Sequence, residues 1–190
     1  MYQKYSTEAL VLRSRESGES DRVFTLYTKD FGLVRARASA VRAESSRMRY
    51  ALQSLSLASV SLVKGKRGWR VAGAAAIQNA PAAPKSAGAL ARIADLTVRL
   101  TGSGEANVYL YATLSEAHQA LKSASEEIVP TIEIISVARL LYALGYLSAE
   151  ALDTALLTHT AYDLDAVSEG EQLRQKLLDS INRALPETQL

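Results

Sequence analysis

Arginine is the residue whose spacing points most directly to chemistry in this chain. Five arginines fall within fifteen residues that contain a single acid, Glu44. Guanidinium groups bind phosphate oxygens through paired hydrogen bonds, and neighbouring serine hydroxyls add to such contacts. These arginines are Arg35, Arg37, Arg42, Arg47 and Arg49. Arg35 and Arg37 alternate along a predicted strand, so we expect both side chains on one face, as part of an anion-binding surface.

A second basic cluster lies in a predicted hairpin farther along the chain. Hairpin loops of this kind flank the nucleic-acid groove in oligonucleotide-binding (OB) barrels. Few aromatic residues accompany the two clusters, which indicates contacts to phosphates with weak sequence preference. For the single tryptophan, Trp69, packing is favoured over base stacking, and both interpretations stay open. The cluster consists of Lys64, Lys66, Arg67 and Arg70.

Residues that could support catalysis or hold a metal are sparse. The chain has no cysteine, and its two histidines, His118 and His159, are far apart in the sequence. This composition excludes thiol catalysis, disulfides and cysteine-ligated zinc or iron–sulfur sites. The close acid pairs, at 126–127 and at 163 and 165, stand at predicted helix starts, where carboxylates stabilise the helix dipole. We therefore predict a protein that is not an enzyme and that has no metal or cofactor.

The charge of the chain is divided between its two ends. The 190 residues carry a net charge of only +2. Residues 1–70 hold 14 Lys and Arg against 6 Asp and Glu, whereas residues 71–190 hold 8 against 14. The first segment therefore has a net charge of +8 and the second of −6. This asymmetry predicts an anionic partner for the N-terminal part. The chain has no long apolar run, so we expect a cytoplasmic protein.

The positioning elements of the basic part are predicted to be strands. Alternating or short apolar runs separated by turn residues predict strands at 8–13, 22–28, 33–41, 54–63 and 69–77. The fourth changes phase between Leu57 and Val60, which indicates a β-bulge. Five short strands in about 75 residues fit a small closed OB-type barrel. We assign residues 1–78 to this domain.

Helical periodicity replaces the strand pattern after a linker at 79–85 that contains two prolines. Apolar faces predict helices around 90–100, 105–122 and 130–144, with a short helix after Ser148. A capping box at 168–171 predicts the start of the last helix, which would end before Pro186. The predicted fold class is therefore β + α, a five-stranded OB-fold barrel followed by an all-α bundle at 86–190.

The ordered motifs of the first 75 residues resemble the N-terminal domain of the bacterial RecO recombination-repair proteins. A later segment, LLYALGYL at 140–147, resembles the helical domain of the same family. The N-terminal motifs are EALVL at 8–12, GESDRV at 18–23, TLYT at 25–28, GL at 32–33, SR at 46–47 and LQ at 52–53, with Trp69 near the end.

This resemblance implies a recombination mediator of DNA repair that acts without catalysis. Such a protein binds single- and double-stranded DNA, anneals complementary strands and, with RecR, helps RecA displace the single-strand-binding protein SSB. It is expected at the nucleoid. The five clustered arginines inherit the DNA-contact role, whereas residues 18–22 would form a turn with internal ion pairs. Lys64, Lys66 and Arg67 of the hairpin cluster are predicted to contact DNA because of their place in the barrel.

The chain also departs from the family pattern. Many relatives carry a four-cysteine zinc site in the helical domain, so the resemblance predicts a short, zinc-free version. No basic–apolar motif for the SSB tail is present. Arg92, Arg99 and Arg139 are candidates for its carboxylates only because they are the basic residues available.

Two other functions fit the same pattern. An OB module that binds structured RNA would show the same basic barrel. An adaptor whose basic face docks an acidic protein partner, such as the SSB tail, would also show it. A preference for RNA over DNA would favour the first alternative over DNA repair. The absence of DNA binding would favour the second.

Overall fold

The computed structural model describes residues 3–41, 46 and 48–188, and it divides into two compact units. The barrel unit comprises Met1–Ala80 together with Gly102–Val108. The helical unit comprises Pro81–Thr101 and Tyr109–Leu190. The segment at Gly102–Val108, which the sequence pattern assigned to the helical part, therefore groups with the barrel.

Five strands close the barrel in the order β1-β2-β3-β5-β4, and β4 pairs back onto β1. The pairing of β3 with β5 is parallel and the other pairings are antiparallel. The predicted five-stranded closed barrel is confirmed. The strands are β1 (Lys4–Ser17), β2 (Asp21–Thr28), β3 (Gly32–Ala38), β4 (Leu57–Gly65) and β5 (Gly68–Gln78), with the short helix α1 (Met48–Ala51) before β4.

Alternation along the strands separates the barrel core from its surface. On β3, Val34, Ala36 and Ala38 are buried, whereas Arg35 and Arg37 are exposed. Small side chains occupy several inward positions because the interior of a five-stranded barrel is narrow. The core consists of Ala9, Val11, Phe24, Leu26, Val34, Ala36, Ala38, Val41, Leu52, Ala58, Val60, Leu62 and Val71.

Bulges bend the strands that close the barrel. The β1–β2 register shifts between Val11 and Arg13, and the β4–β5 register shifts at two places. The residues left unpaired at these shifts, Ala72 and Ile77, lie on β5, and the β1–β4 register has no shift. The prediction of a bulge in the fourth strand is therefore wrong, because Leu57 is buried outside the core that Ala58, Val60 and Leu62 enter. This strand begins at Leu57 instead of residue 54, because Leu55 has a φ of +66° and cannot continue an extended strand. β3 likewise ends at Ala38, shortly before Ala40 with a φ of +53°.

Gly32 allows the segment Gly102–Val108 to lie close to the start of β3. Gly32 has a φ of +60°, and a Cβ atom there would lie 2.0 Å from the carbonyl oxygen of Glu105. Leu33 forms an isolated parallel bridge with Ser103. Any larger residue at position 32 would therefore be strained and would also displace this segment.

The described residues of the helical unit form six helices. They are α2 (Pro84–Leu100), α3 (Val108–Ser123), α4 (Val129–Ala143), α5 (Ala149–Leu152), α6 (Leu164–Gln172) and α7 (Arg174–Glu187). The buried face of α4 contacts α2, α6 and α7. Ile135, Leu141 and Leu177 belong to the core that these contacts form. Within the described part of the chain, no helix is both long enough and apolar enough to cross a membrane.

The predicted start of the last helix is wrong. Asp163 caps α6, and its Oδ1 accepts a 2.8 Å hydrogen bond from the backbone N–H of Ala166, so the helix begins at Leu164 and Ser168 lies inside it. A Cβ atom at Gly170 would come within 2.4 Å of Ile135 Cδ1, so a larger residue there would displace the Ile135 side chain where α6 meets α4. A separate helix, α7, follows Leu173 and includes Pro186 in its last turn.

Candidate nucleic-acid interface

Two rows of side chains with arginines at both ends cross the outward face of β1, β2 and β3. In each row, one arginine comes from β1, a short residue comes from β2, and the second arginine comes from β3. Adjacent strands are about 5 Å apart, so the arginine Cα atoms of a row are separated by roughly 10 Å. The arginines thus form two walls along β2. The rows are Arg13–Thr25–Arg35 and Arg15–Val23–Arg37.

The space between these walls is a groove of about 240 Å³. Three arginines border it, and no carboxylate is among its lining residues in the described part of the chain. A phosphate in this groove would therefore meet guanidinium groups without a competing carboxylate on the lining. We call it the strand groove, and its lining is Arg13, Ser14, Arg15, Val23, Thr25 and Arg35.

Arg13 and Arg15 are site residues that the sequence prediction missed. The prediction ended the first strand at residue 13 and assigned the polar residues after it to a turn, but β1 continues to Ser17. The bulge between Val11 and Arg13 sets the phase that turns both arginines outward. Their spacing of two was the available signal, since charged residues at alternate positions fit the solvated face of a strand.

The β4–β5 hairpin borders a second cavity of about 600 Å³, which we call the hairpin pocket. Arg37 on β3 stands beside Arg70 on β5, because these two strands pair in parallel at this point. Lys66 and Arg67 come from the turn between β4 and β5. The structure thus brings Arg37 of the first predicted cluster together with the second cluster. The lining is Asp21, Arg37, Ser39, Val63, Gly65, Lys66, Arg67, Gly68, Trp69 and Arg70.

One carboxylate, Asp21, lies in the hairpin pocket and holds Arg37. Its Oδ2 accepts from Arg37 Nε at 2.9 Å and lies 2.7 Å from Nη2. Its Oδ1 accepts from the backbone N–H of Ala40 at 2.9 Å. The Ala40 N–H, followed by the Arg37 side chain, holds the pKa of the Asp21 carboxyl below its ordinary value. Asp21 therefore stays ionised and ties the β1–β2 turn to the end of β3.

Lys64 and Trp69 form part of the packing at one end of the barrel. The indole of Trp69 contacts the rings of Tyr5 and Phe31, with centroids 5.6 Å and 5.2 Å away. The Lys64 ammonium lies 5.4 Å from the Trp69 ring centroid in a cation–π contact. Trp69 is half-buried, so these neighbours occupy much of its surface. The geometry favours packing over base stacking for this residue.

Arg49, a further predicted arginine of the first cluster, is not among the lining residues of the strand groove. Arg49 lies on α1, where its Nη2 donates to the Tyr50 hydroxyl at 2.8 Å. It lines a third cavity together with Arg22. Arg42 and Arg47 fall outside the described residues.

In the helical unit, Arg92 and Arg99 lie on the exposed side of α2. Arg92 forms a bidentate ion pair with Glu133 on α4, at 2.6 Å and 2.7 Å. An incoming carboxylate would therefore have to compete with Glu133 for this guanidinium. Arg99 stands in the last turn of α2.

Arg139 is completely buried, which conflicts with its prediction as a ligand for an acidic tail. Its guanidinium donates to the carbonyl oxygens of Leu156, Thr160 and Ala161 at 2.8–3.0 Å. The same group lies 4.6 Å from the ring centroid of Tyr162. Arg139 therefore fixes the segment between α5 and α6 and is inaccessible to a carboxylate from solvent. Spacing alone did not reveal this, because the role depends on carbonyls up to 22 residues away.

No candidate metal centre occurs among the residues that the structure describes, since no three His, Asp or Glu side chains converge there. His118 is buried on α3, and His159 contacts Arg139 through Nδ1 at 3.3 Å. The basic side chains of the strand groove and the hairpin pocket can bind anions through ion pairs and hydrogen bonds.

A family model described as "Recombination protein O N terminal" matches residues 1–78. This match covers the strands and the turns that carry both basic cavities.

Curated relatives extend this similarity. The DNA repair protein RecO of Pelotomaculum thermopropionicum is 30% identical over 140 residues, which cover 72% of this chain and 55% of the relative. The DNA repair protein RecO of Desulfitobacterium hafniense is 47% identical over 62 residues, or 33% of this chain and 23% of the relative. That of Bifidobacterium animalis subsp. lactis is 42% identical over 62 residues, covering 33% and 26%. The chain thus matches about half of the first relative's length and about a quarter of the other two.

Proposed function

We propose that this chain, which belongs to the RecO family by its residues 1–78, binds DNA through the strand groove and the hairpin pocket and anneals complementary strands. The family is one of DNA repair proteins, as the names of the relatives state. The observation that carries the proposal is the pair of arginine walls along β2, with no carboxylate among the described residues that line the groove.

The groove is suited to phosphates more than to bases. Its floor consists of Thr25 and Val23, and no aromatic ring is among its lining residues in the described part of the chain. Guanidinium groups contact the backbone of any sequence, so we expect weak base preference. Each phosphate contact releases counterions. It therefore steepens the slope of log affinity against log salt concentration by about 0.7 for a single strand, or about 0.9 for a duplex.

Two separate basic cavities provide a route to annealing. The strand groove lies over β1–β3, and the hairpin pocket lies beside β3 and β5. A strand in each cavity would have its phosphate charges neutralised, which lowers the repulsion between the two strands and raises their local concentration. No bond is made or broken in this process, so the proposed activity requires no catalytic group.

The family resemblance also suggests the partners in this proposal. With RecR, the chain would help RecA to displace SSB from single-stranded DNA at the nucleoid. For the acidic SSB tail, Arg99 is the better of the two exposed candidates, because Glu133 already pairs with Arg92. Arg139 is left out of the proposal because it is buried.

An annealing assay tests the proposal. Complementary oligonucleotides, bare or coated with SSB, are mixed with the protein, with and without RecR. We expect wild-type protein to accelerate annealing and the variant with Arg13, Arg15 and Arg35 changed to Gln to lose most of this acceleration. The matched control changes Arg92, Arg99 and Arg183 of the helical unit to Gln and should retain annealing of bare strands.

Three results would overturn the proposal. Equal annealing by the groove variant and wild type would remove the groove from the function. Faster annealing of RNA than of DNA would favour an RNA-binding module. Failure to shift DNA at low salt, combined with binding of an acidic SSB-tail peptide, would favour an adaptor.

A further inference from the structure

A pocket with an apolar floor lies at the end of the barrel where β1 ends and β2 begins. It has a volume of about 240 Å³ and is separate in its lining from both cavities described above. Its apolar members, Phe24, Val41 and Leu52, are core residues no more than 2% exposed. The pocket therefore ends blindly on the barrel core. We call it the barrel-end pocket, and its lining is Arg22, Phe24, Val41, Arg49 and Leu52.

Arg22, at the start of β2, supplies one guanidinium group to the lining of this pocket. Its Nε atom is inaccessible to solvent and has no hydrogen-bond partner among the described residues. The carboxylate of Glu16 lies 3.7 Å from Nη2, beyond hydrogen-bond distance. Because Nε is inaccessible even to water, an anion in the pocket would contact the exposed part of the Arg22 side chain and compete there with the Glu16 carboxylate.

Arg49 supplies a second guanidinium from α1. Its group lies 4.9 Å from the ring centroid of Tyr50, and Nη2 donates to the hydroxyl of the same residue at 2.8 Å. The Tyr50 ring is 59% exposed. The ring therefore restrains Arg49 at the surface end of the pocket, which lowers the entropy lost when an anion binds.

We propose that the barrel-end pocket binds a phosphate monoester, with Arg22 and Arg49 as its ligands. Two guanidinium groups match a dianionic phosphate, which offers three terminal oxygens for paired hydrogen bonds. The blind floor excludes a phosphodiester in the middle of a strand, because a strand needs a path out on both sides. The monoester is either the terminal phosphate of a DNA strand, a choice that rests on the proposed function, or a free nucleotide.

Calorimetric titration with thymidine 5′-monophosphate, and with uncharged thymidine as its control, tests the shared chemistry. We expect the monophosphate to bind and thymidine not to bind. Arg49→Gln, at an exposed position, should weaken binding about tenfold, the loss of one charge-assisted hydrogen-bonding group. Arg22→Gln should do the same. Arg183→Gln, at an exposed position of α7 outside the three cavities, is the matched control and should leave binding unchanged. No binding of the monophosphate, or an equal loss in Arg183→Gln, would overturn the proposal.

A second arm identifies the source of the phosphate. Short single strands with a 5′-phosphate, a 3′-phosphate or hydroxyl ends are compared at one salt concentration. A preference for one phosphorylated end that Arg49→Gln abolishes supports the strand terminus. Binding of the monophosphate without such a preference supports a free nucleotide. If the groove variant abolishes DNA binding but not monophosphate binding, the two sites are independent, and a failure of the proposed function leaves this inference standing.

Discussion

Arginine side chains have different surroundings in the barrel unit and in the helical unit. On the barrel, Arg13, Arg15 and Arg35 line an open groove, and no carboxylate is among the lining residues that the structure describes. In the helical unit, Arg92 pairs with a carboxylate and Arg139 is buried against backbone carbonyls. The net charges of +8 at 1–70 and −6 at 71–190 express the same contrast.

The arginines differ in their surroundings because strands and packed helices orient their side chains differently. A strand turns every second residue outward, so arginines two positions apart repeat on one face, and neighbouring strands place further arginines beside them. Packed helices bring acidic and basic residues of neighbouring helices together, as Glu133 on α4 meets Arg92 on α2. The number of arginines therefore predicts anion binding less well than the partners that each guanidinium already has.

The largest expected effect concerns the buried arginine of the helical unit. Arg139→Ala removes the donors of three carbonyl groups and should lower the free energy of unfolding by about 3 kcal/mol. Urea unfolding followed by circular dichroism measures this. Arg99→Ala, at an exposed site of the same unit, should change it by less than about 0.5 kcal/mol. Equal stability of the two variants would mean that Arg139 is not structural, and the comparison between the units would fail.

A smaller effect is expected at Trp69. If its role is packing, Trp69→Leu should lower barrel stability by about 2 kcal/mol, because the contacts with Tyr5 and Phe31 are lost. Single-strand affinity, measured by fluorescence anisotropy on folded protein, should stay within about twofold, whereas a stacking residue would contribute 1–3 kcal/mol to it. Unchanged stability with strongly reduced affinity would reverse the assignment.

Asp21 allows the role of carboxylates in the barrel to be tested directly. Asp21→Asn removes the acid from the hairpin pocket and releases the charge of Arg37. We expect single-strand affinity to rise a few-fold, since one more cation becomes available to bind phosphate. The slope of log affinity against log salt concentration should become steeper by up to about 0.7. Glu8→Gln, on β1 outside the three cavities, is the control. Weaker binding by Asp21→Asn would show that Asp21 positions Arg37 for DNA instead of competing with it.

The lowered pKa of Asp21 also predicts a pH dependence of local structure. A carboxyl whose pKa is depressed by folding stabilises the fold fully above its ordinary value of 3.8 and loses that contribution as the pH falls through the lower folded value. The chemical shift of the Ala40 amide should therefore titrate below pH 3.8. The same titration in Asp21→Asn should show no such step. A midpoint above the ordinary value would contradict the lowered pKa.

The barrel could be predicted from the sequence because its strands are local patterns. The alternation of Val34, Ala36 and Ala38 is visible in the letters alone. Strand ends were less predictable, since Leu55 and Ala40 adopt positive φ values without being glycine. The division into two helices at Leu173 was not predicted, because no glycine or proline stands at that position.

The candidate site could be predicted only in part. Arg35 and Arg37 were identifiable because they alternate within one strand. Arg13 and Arg15 complete the groove only through the β1–β2 register, which a bulge determines. The meeting of Arg37 with Arg70 requires the parallel β3–β5 pairing between residues 33 positions apart in the sequence. These features depend on contacts between strands, whereas spacing reports on one strand at a time.

The most direct test of the central claim is the salt dependence of single-strand binding. Wild type is compared with the variant in which Arg13, Arg15 and Arg35 are changed to Gln and with the matched helical variant in which Arg92, Arg99 and Arg183 are changed to Gln. The account predicts that the slope of log affinity against log salt falls by about 2 in the groove variant, three contacts at roughly 0.7 each, and stays unchanged in the helical variant. An unchanged slope in the groove variant, or an equal fall in both, would contradict it.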